Sequence, residues 1–520
     1  MKKTLLSFNL ILSLSLFGQS VVIVPNTENY GQNGIVYNNS LFFSKNSKLA
    51  KFDGVSVIGL PEPSYSNQPI NGLLRGSMVI YNNKLCYNYD YKASGSMNEY
   101  LNKDYIVTYD GSEQKAFLNP ESVYEFGGIY IGGTGSESEP VLYNNKLVFR
   151  GTYYNGLTSH LYTFDGQNIL KINNINNNNM PGAVLKLGNQ ATIYNNELYF
   201  GYKDNNMFFD GIGKFDGTTI QTVTNSSQEY LGGLVNLDTK MYCYLHGVGY
   251  GLGLYGGNTF SSLPIAQARF PSTIKPLVFN SKIYFTTSIY VGTEFKNKLV
   301  IFDGTNFQIV NNINAVDNGP SGPVINFAND IYFKYAISSG NYQLAKYSGT
   351  SISLISNVIS SNSGVNDAFI EFNNALFCTY RIGGSNKLVK YDGTNLTVLP
   401  NPDNGEGVQE NFVVYGNDLY FPYKNEAGTV VLAKYGSTVL STVENSKNEN
   451  ISIYKDNKGF SVVSKSKKIN KIEIVDASGR LIYDTKVGNE KYYFEIEAKG
   501  VFIFKAVLND GKVFTQKIRN

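Results

Sequence analysis

The sequence predicts an all-β chain: a β-propeller of eight or nine four-stranded blades, followed by a small Ig-like β-sandwich. Two observations lead there. A cassette of about 45 residues is written nine times between residues 21 and 447, and a fixed period of that length with several short strand signals is the mark of a propeller. The last 70 or so residues then change in composition and read as hairpins.

Composition sets the outer limits. The chain has 520 residues, of which 42% are hydrophobic, so it can bury large cores. Charged residues make up only 16%, while Tyr reaches 40, Phe 32 and Gly 51. Few charges with much Tyr, Gly and Asn favour strands joined by turns over helices. Lys+Arg at 44 against Asp+Glu at 41 leaves +3, which argues against a nucleic-acid partner. Three Cys without a C-x-x-C motif make no disulfide framework, and two His exclude a histidine metal cage, so no metal or other cofactor is expected.

Residues 1–20 read as a signal peptide. Lys2 and Lys3 precede an apolar stretch from Thr4 to Phe17, and Gly18-Gln19-Ser20 supplies small residues for cleavage. The stretch is too short and interrupted to span a membrane, and no other window is long enough, so no transmembrane segment is expected.

The cassette has two parts. The first is an apolar strand, a polar pair, then Leu and two aromatics, as in Tyr194-Asn195-Asn196-Glu197-Leu198-Tyr199-Phe200; its copies begin at residues 37, 81, 143, 194, 237, 279, 327, 372 and 415. The second is an aliphatic, two variable positions, an aromatic and Asp-Gly. Its aromatic is Phe52, Tyr109, Phe164, Phe215, Tyr255, Phe302, Tyr347, Tyr391 and Tyr435, filled in every copy. Asn-Asn and Asp-Gly accept the positive φ of tight hairpin turns. The Leu and aromatic columns are core, packed between blades. Cys86, Cys243 and Cys378 sit in those columns and should be unpaired, buried thiols. Val21-Val22-Ile23-Val24 resembles an outer strand that could complete the last blade.

These copies resemble the ELWxxDGT class of secreted bacterial repeats, on Leu388-Val389-Lys390-Tyr391-Asp392-Gly393-Thr394 and the Asn401-Pro402-Asp403-Asn404-Gly405 linker. The Trp of that pattern is Val389 here. The resemblance implies a propeller and no reaction.

Residues 448–520 carry 14 Lys+Arg against 9 Asp+Glu, a charge shift that marks a domain boundary. Lys471-Ile472-Glu473-Ile474-Val475 alternates, turns at Asp476-Ala477-Ser478-Gly479-Arg480, and returns at Leu481-Ile482-Tyr483. The runs IEIVDASGRLIYD and GVFIFKAVLNDGKVFTQKI, with the basic C-terminus, resemble the type A sorting domain of the type IX secretion system of Bacteroidetes-type bacteria. This implies a secreted or cell-surface protein on the outer-membrane exterior, with the type IX secretion machinery as a partner through 448–520.

Both tight turns of each cassette fall on one rim, so the longer connections fall on the other: 88–104, 119–139, 151–159, 175–188 and 286–298. Long loops on a rigid scaffold are where binding sits. Aromatics away from the core columns, Tyr89, Tyr91, Tyr124, Tyr130, Tyr153, Tyr154, Phe208, Phe209 and Tyr250, are the candidate ligand-binding residues, suited to an extracellular glycan or protein. No G-x-S-x-G, H-E-x-x-H or P-loop motif occurs, so no catalytic residues are named and the chain is expected not to be an enzyme. Two alternatives stand: a polysaccharide-processing enzyme with a carboxylate pair in the funnel, or a passive matrix or spacer protein. The acidic pairs Glu137 with Glu139 and Asp403 with Glu406 are read as solvated loop charges.

Overall fold

The computed structural model describes residues 20–31, 34–91, 103–118, 129–130, 140–152, 159–172, 184–186, 191–203, 210–223, 228–247, 251–257, 259–265, 268–269, 274–355, 364–436, 451–456, 459–465, 467–476, 480–496, 501–510 and 513–519. These residues are all-β, with no helix among them. The chain divides into two compact units, Gln19–Gly436 and a second that contains Ser437–Asn520.

The first unit holds nine consecutive four-stranded antiparallel arrangements. The pattern is plain in the seventh: Gly319–Phe327, Asp330–Ser338, Asn341–Tyr347 and Ile352–Leu354 pair in sequence order. Each inner strand leads through a tight turn into a strand bearing the Leu-aromatic-aromatic run. Alternate residues of that run go to opposite faces, as the two-residue strand period requires. Leu198 and Phe200 enter the core shared with the third sheet, whereas Tyr199 enters the one shared with the fifth. Both faces are thus dry, and the run reads as continuously apolar.

Nine apolar clusters join the sheets pairwise in chain order, and the last returns to the start. The ninth sheet contributes Tyr415, Tyr420 and Leu432 to a cluster completed by Leu41, Phe43 and Phe52 of the first. The expected aromatic column is buried in all nine copies, from Phe164 at 0% exposed to Tyr255 at 7%. Cys86, Cys243 and Cys378 are free and buried in these cores. Burial pushes the Cys86 thiol up to about 12, which keeps it an uncharged apolar filler. The final sheet borrows its outer strand from the N-terminus: Ser20–Ile23 pairs antiparallel with Val430–Gly436, Val21 opposite Tyr435.

The turn rim is tied together by a device not expected from the sequence. The Asn-Asn turns have positive φ at both residues (44° at Asn38 and 55° at Asn39). The Tyr preceding one turn donates its hydroxyl to a turn carbonyl of the next copy. Tyr37 reaches Asn83 O at 2.6 Å, Tyr81 reaches Asn145 O at 2.6 Å, Tyr143 reaches Asn196 O at 2.7 Å and Tyr194 reaches Thr239 O at 2.8 Å. Tyr415 reaches Asn39 O at 2.9 Å, from the ninth copy to the first. Each such bond is worth about 0.5–1.5 kcal/mol net.

In the other turn the Asp carboxylate replaces a missing backbone partner. Asp303 Oδ1 accepts from Thr305 N at 2.9 Å and Asn306 N at 2.7 Å, and Asp53, Asp110, Asp165, Asp216 and Asp392 repeat the arrangement. These backbone donors hold the Asp110 carboxyl down at about 2 and lower the other five. A carboxylate depressed by folding stabilises fully above its unfolded value of about 4 and stops doing so as pH falls through its folded value. Melting temperature should therefore drop between about pH 5 and pH 2. Asp110→Asn, which keeps an acceptor but no charge, should flatten that decline. An unchanged slope would show that the turns contribute nothing to acid lability.

The second unit has seven described strands in two sheets. Ile451–Asp456, Gly459–Ser464 and Lys491–Glu495 form one; Leu481–Asn489, Ile469–Asp476, Val501–Leu508 and Val513–Arg519 form the other. Ile472, Ile474, Phe502 and Phe504 from one sheet meet Phe460, Val462 and Phe494 from the other in a single core.

Candidate functional site

Much of the sequence expected to form the longer connections lies outside the described residues. Tyr124, Tyr153, Tyr154, Phe208, Phe209 and Tyr250 fall there, as do Glu137 and Glu139. Tyr91 and Tyr130 end strands whose side chains are not described at those positions. Two stretches expected to be loops are strands. Thr286–Lys298 is the tip of a long hairpin, Lys282–Val291 with Glu294–Phe302. The second copy's strand runs on to Tyr91, which puts Tyr89 on its core face.

Tyr89 is 1% exposed and offers no ring to a ligand, which corrects its reading as a loop aromatic. Its hydroxyl donates to the Glu62 carboxylate and accepts from Lys48 Nζ at 3.1 Å and from Gly72 N at 3.2 Å. Lys48 also pairs with Glu62 at 2.5 Å. Tyr89 stands four residues after the conserved-pattern Leu85 of its cassette, and the same place in other copies is again a buried Tyr bound to the connection entering its sheet. Tyr335 donates to Asp317 Oδ2 at 2.8 Å, and Tyr423 to Asp403 Oδ1 at 2.6 Å. Asp317 is 2% exposed and also accepts from Asn314 N at 3.1 Å. Asp403 accepts from Gly405 N and Glu426 N, and Glu406 pairs with Lys424 at 2.6 Å. Asp403 is therefore a structural fastening of the connection, whereas Glu406, its side chain 64% exposed, is a solvated charge as expected. A Tyr four residues after the cassette's Leu or Ile was the available signal for these fastenings.

Beside the fastenings of the seventh and ninth copies, the first strands are bulged or broken. Pairing skips between Ser321 and Val324 in the seventh copy and between Val365 and Phe369 in the eighth; in the ninth the strand breaks between Val408 and Val413. Bulges re-aim side chains and concentrate beside sites. Here they present Asp367 and Glu410. Lys334 Nζ, from the second strand of the seventh sheet, pairs with Asp367 Oδ1 at 2.6 Å. Partial desolvation pushes the Glu410 carboxyl up, the Asp367 carboxylate adds to that, and Lys334 opposes it. Gly322, at φ 74°, leaves the room: a Cβ there would lie 2.3 Å from Asp367 Oδ1.

Gly322 also borders a cavity of about 320 Å³ between the sixth and seventh sheets. Its lining mixes the polar residues Arg269, Thr286, Thr287, Ser288, Asn297 and Ser321 with Ile274 and Pro320. Thr286 and Thr287 are held by bonds to Gly322 O at 2.9 Å and Arg269 O at 2.7 Å, and Ser288 donates to Asn297 Oδ1 at 2.6 Å. The Arg269 guanidinium lies 4.1 Å from the Phe295 ring centroid. Hydroxyls, an amide and the Arg269 guanidinium, all on strands, form a preorganised surface for a hydroxyl-rich ligand.

Comparison with known proteins bears on the tail and on the fold. Residues 440–520 match a family described as a domain of unknown function (DUF8694). No curated protein matches the chain by sequence. Among solved structures, the chain is similar to PorZ, described as a surface component of the type IX secretion system of Porphyromonas gingivalis, at 12% identity and a TM-score of 0.25, over 95% of this chain and 81% of that one. It is similar to the extracellular domain of BT4673 from B. thetaiotaomicron at 8% identity and TM-score 0.28, over 96% and 91%. It is also similar to a puromycin-hydrolyzing peptidase of Mycobacterium tuberculosis at 10% identity and TM-score 0.36, over 70% of this chain and 61% of that one. Acylaminoacyl and prolyl endopeptidases also match. The presence of peptidases among these structures overturns the expectation that the chain is not an enzyme. That expectation rested on missing motifs, and a motif search sees only catalytic sets already known by their spacing. At such TM-scores the likeness itself assigns no reaction. No helix among the described residues is long and apolar enough to cross a membrane.

Proposed function

We propose that residues 20–436 form a nine-bladed β-propeller, displayed on the cell surface or secreted, that binds a glycan at the rim opposite its tight turns. The circuit of nine shared cores supports the propeller, because each sheet buries both faces only if the last meets the first. The observation that carries the binding reading is the cavity beside Lys334, Asp367 and Glu410. The aromatic residues Tyr91, Tyr124, Tyr130, Tyr153, Tyr154, Phe208, Phe209 and Tyr250 would contribute to binding as the sequence suggests. Residues 448–520 would serve as the sorting tail for type IX export; this rests on the residues that resemble such tails and on a separately cored unit that could be removed without opening the propeller.

The test is a glycan array and a surface-protein pull-down with the full chain, each repeated with Lys334→Ala and Ser288→Ala. Glycan binding reduced about tenfold or more by either variant supports the reading. Capture of a protein alone would replace the glycan by a protein partner, and no capture would leave a passive matrix role. Deleting 448–520 in the native host should hold the protein inside the outer membrane.

A second reading has its own observation. A carboxyl raised by desolvation with a second carboxyl group acting on it, as Glu410 has in Asp367, is the kind of pairing that glycan hydrolysis uses. Release of reducing ends by the full chain, lost in Glu410→Gln and in Asp367→Asn, would establish it.

A further inference from the structure

The connection between the first and second sheets contains a hairpin, Ser64–Tyr65 with Gln68–Pro69. It adds to the second sheet outside its fourth strand, through a parallel bridge between Ser64 and Lys115. Its tip, Ser66 and Asn67, has φ values of 49° and 62°, a tight turn that stands clear of the sheet. Across from it lie the turn and outer strand of the third sheet. Between the two is a cleft of about 650 Å³, within the range of roughly 300–1,000 Å³ for sites of small ligands. Its end is formed by two tight turns, with Glu113 from the second sheet and Gln167 and Asn168 from the third, so it opens near the tight-turn rim, away from the site described above.

The floor is fixed and apolar. Phe117 packs edge-on against Phe164 at 5.0 Å, and Ala116 and Ile169 are buried beside it. Tyr65 is held 5.5 Å from Tyr105 but keeps 38% of its surface exposed, and Leu170 keeps 50%. Above this floor stand amides of Asn67, Gln167 and Asn168, one carboxylate and one ammonium. The Lys115 ammonium lies over the Phe117 ring at 5.3 Å.

We infer that this cleft is a carbohydrate subsite that takes a neutral oligosaccharide, with one sugar ring against Tyr65. Two flat aromatic faces match the C–H side of a pyranose, and planar amides and a carboxylate match its paired hydroxyls. A single ammonium is too little for a phosphorylated or strongly acidic ligand. The strand facing the hairpin, Ile169–Lys171, has three residues, which is short for a peptide to join as an added strand. Together with the rim site, the cleft would let one chain grip a polysaccharide at two places, which raises avidity when both are engaged.

The full chain is titrated with cellohexaose, laminarihexaose, maltohexaose, xylohexaose and mannohexaose, following saturation-transfer signals and affinity. One of these should bind, with Tyr65→Ala weakening it about tenfold and Asn168→Ala several-fold, while Leu354→Ala, an exposed change outside both sites, leaves that affinity unchanged. Tyr65 and Asn168 are exposed, and an unaltered melting temperature would confirm that both variants fold. If none of the five binds, or if both variants bind as the parent does, the inference is overturned. Binding lost only in Lys334→Ala, measured alongside, overturns it too, while leaving the rim reading in place.

Discussion

Replacing Val21 by Asp should cost the first unit about 2–5 kcal/mol, because the charged side chain cannot be buried and the N-terminal strand must peel away with everything it covers. Val21 is 5% exposed and belongs to the core between the eighth and ninth sheets. Three residues on, Val24 belongs to the core between the ninth and the first. The same short strand therefore seals both sides of the last sheet. Thr27 latches it: its hydroxyl donates to Val24 O at 2.6 Å and accepts from Leu432 N at 3.0 Å, fully buried. Once the strand leaves, the Val430–Gly436 edge loses its backbone partners. A unit of this size is best followed by its half-life at a fixed temperature and by hydrogen exchange. Amide protection at residues 430–436 should collapse in Val21→Asp and weaken in Thr27→Val. Unchanged protection would mean that the ninth sheet is held by its neighbours alone.

The latch also shows what could be read in advance. The likeness of Val21–Val24 to an outer strand was visible because apolar residues next to Pro25-Asn26 repeat a pattern found at Leu396–Asn401. The core columns were visible for the same reason: nine copies of a burial constraint leave nine copies of a residue type. The Tyr37-to-Asn83 ladder was not, because a Tyr before a turn looks like core until its hydroxyl's partner is known to belong to the next copy. Tyr89 was misplaced because a strand that outruns its turn signals has no marker at its far end, and a Tyr beyond the repeat then passes for a loop residue. Asp367 and Glu410 escaped notice altogether. Each is an isolated acid in a variable stretch, and only the bulges of two inner strands bring both to Lys334. Repetition exposes what every blade shares, so it conceals whatever a single blade contributes to a site.

Asp317→Ala should be the next most damaging change, at about 2–4 kcal/mol, since it removes a charged acceptor from donors that have no other buried partner of comparable strength. Tyr335 is 0% exposed, and burial raises its hydroxyl so that it remains a donor. Without the carboxylate that donor faces an empty site, as does Asn314 N. The segment has few other ties: Asn312 Nδ2 to Asp317 O at 3.1 Å, Lys296 Nζ to Val316 O at 2.9 Å, and Asn297 N to Asn318 O at 2.8 Å. Asn297 and Pro320 line the rim cavity, so loosening this connection should also weaken ligand binding there. Tyr335→Phe removes the bond to Asp317 and the one its hydroxyl accepts from Ile313 N at 2.9 Å, but leaves Asp317 its Asn314 partners, so it should cost less, about 1–2 kcal/mol. In a double-mutant cycle the two changes should be strongly non-additive, because the second removes a bond already lost. Additive losses would show that Tyr335 and Asp317 stabilise the connection independently. A melting temperature within a degree of the parent for Asp317→Ala would show that the buried carboxylate is no fastening at all.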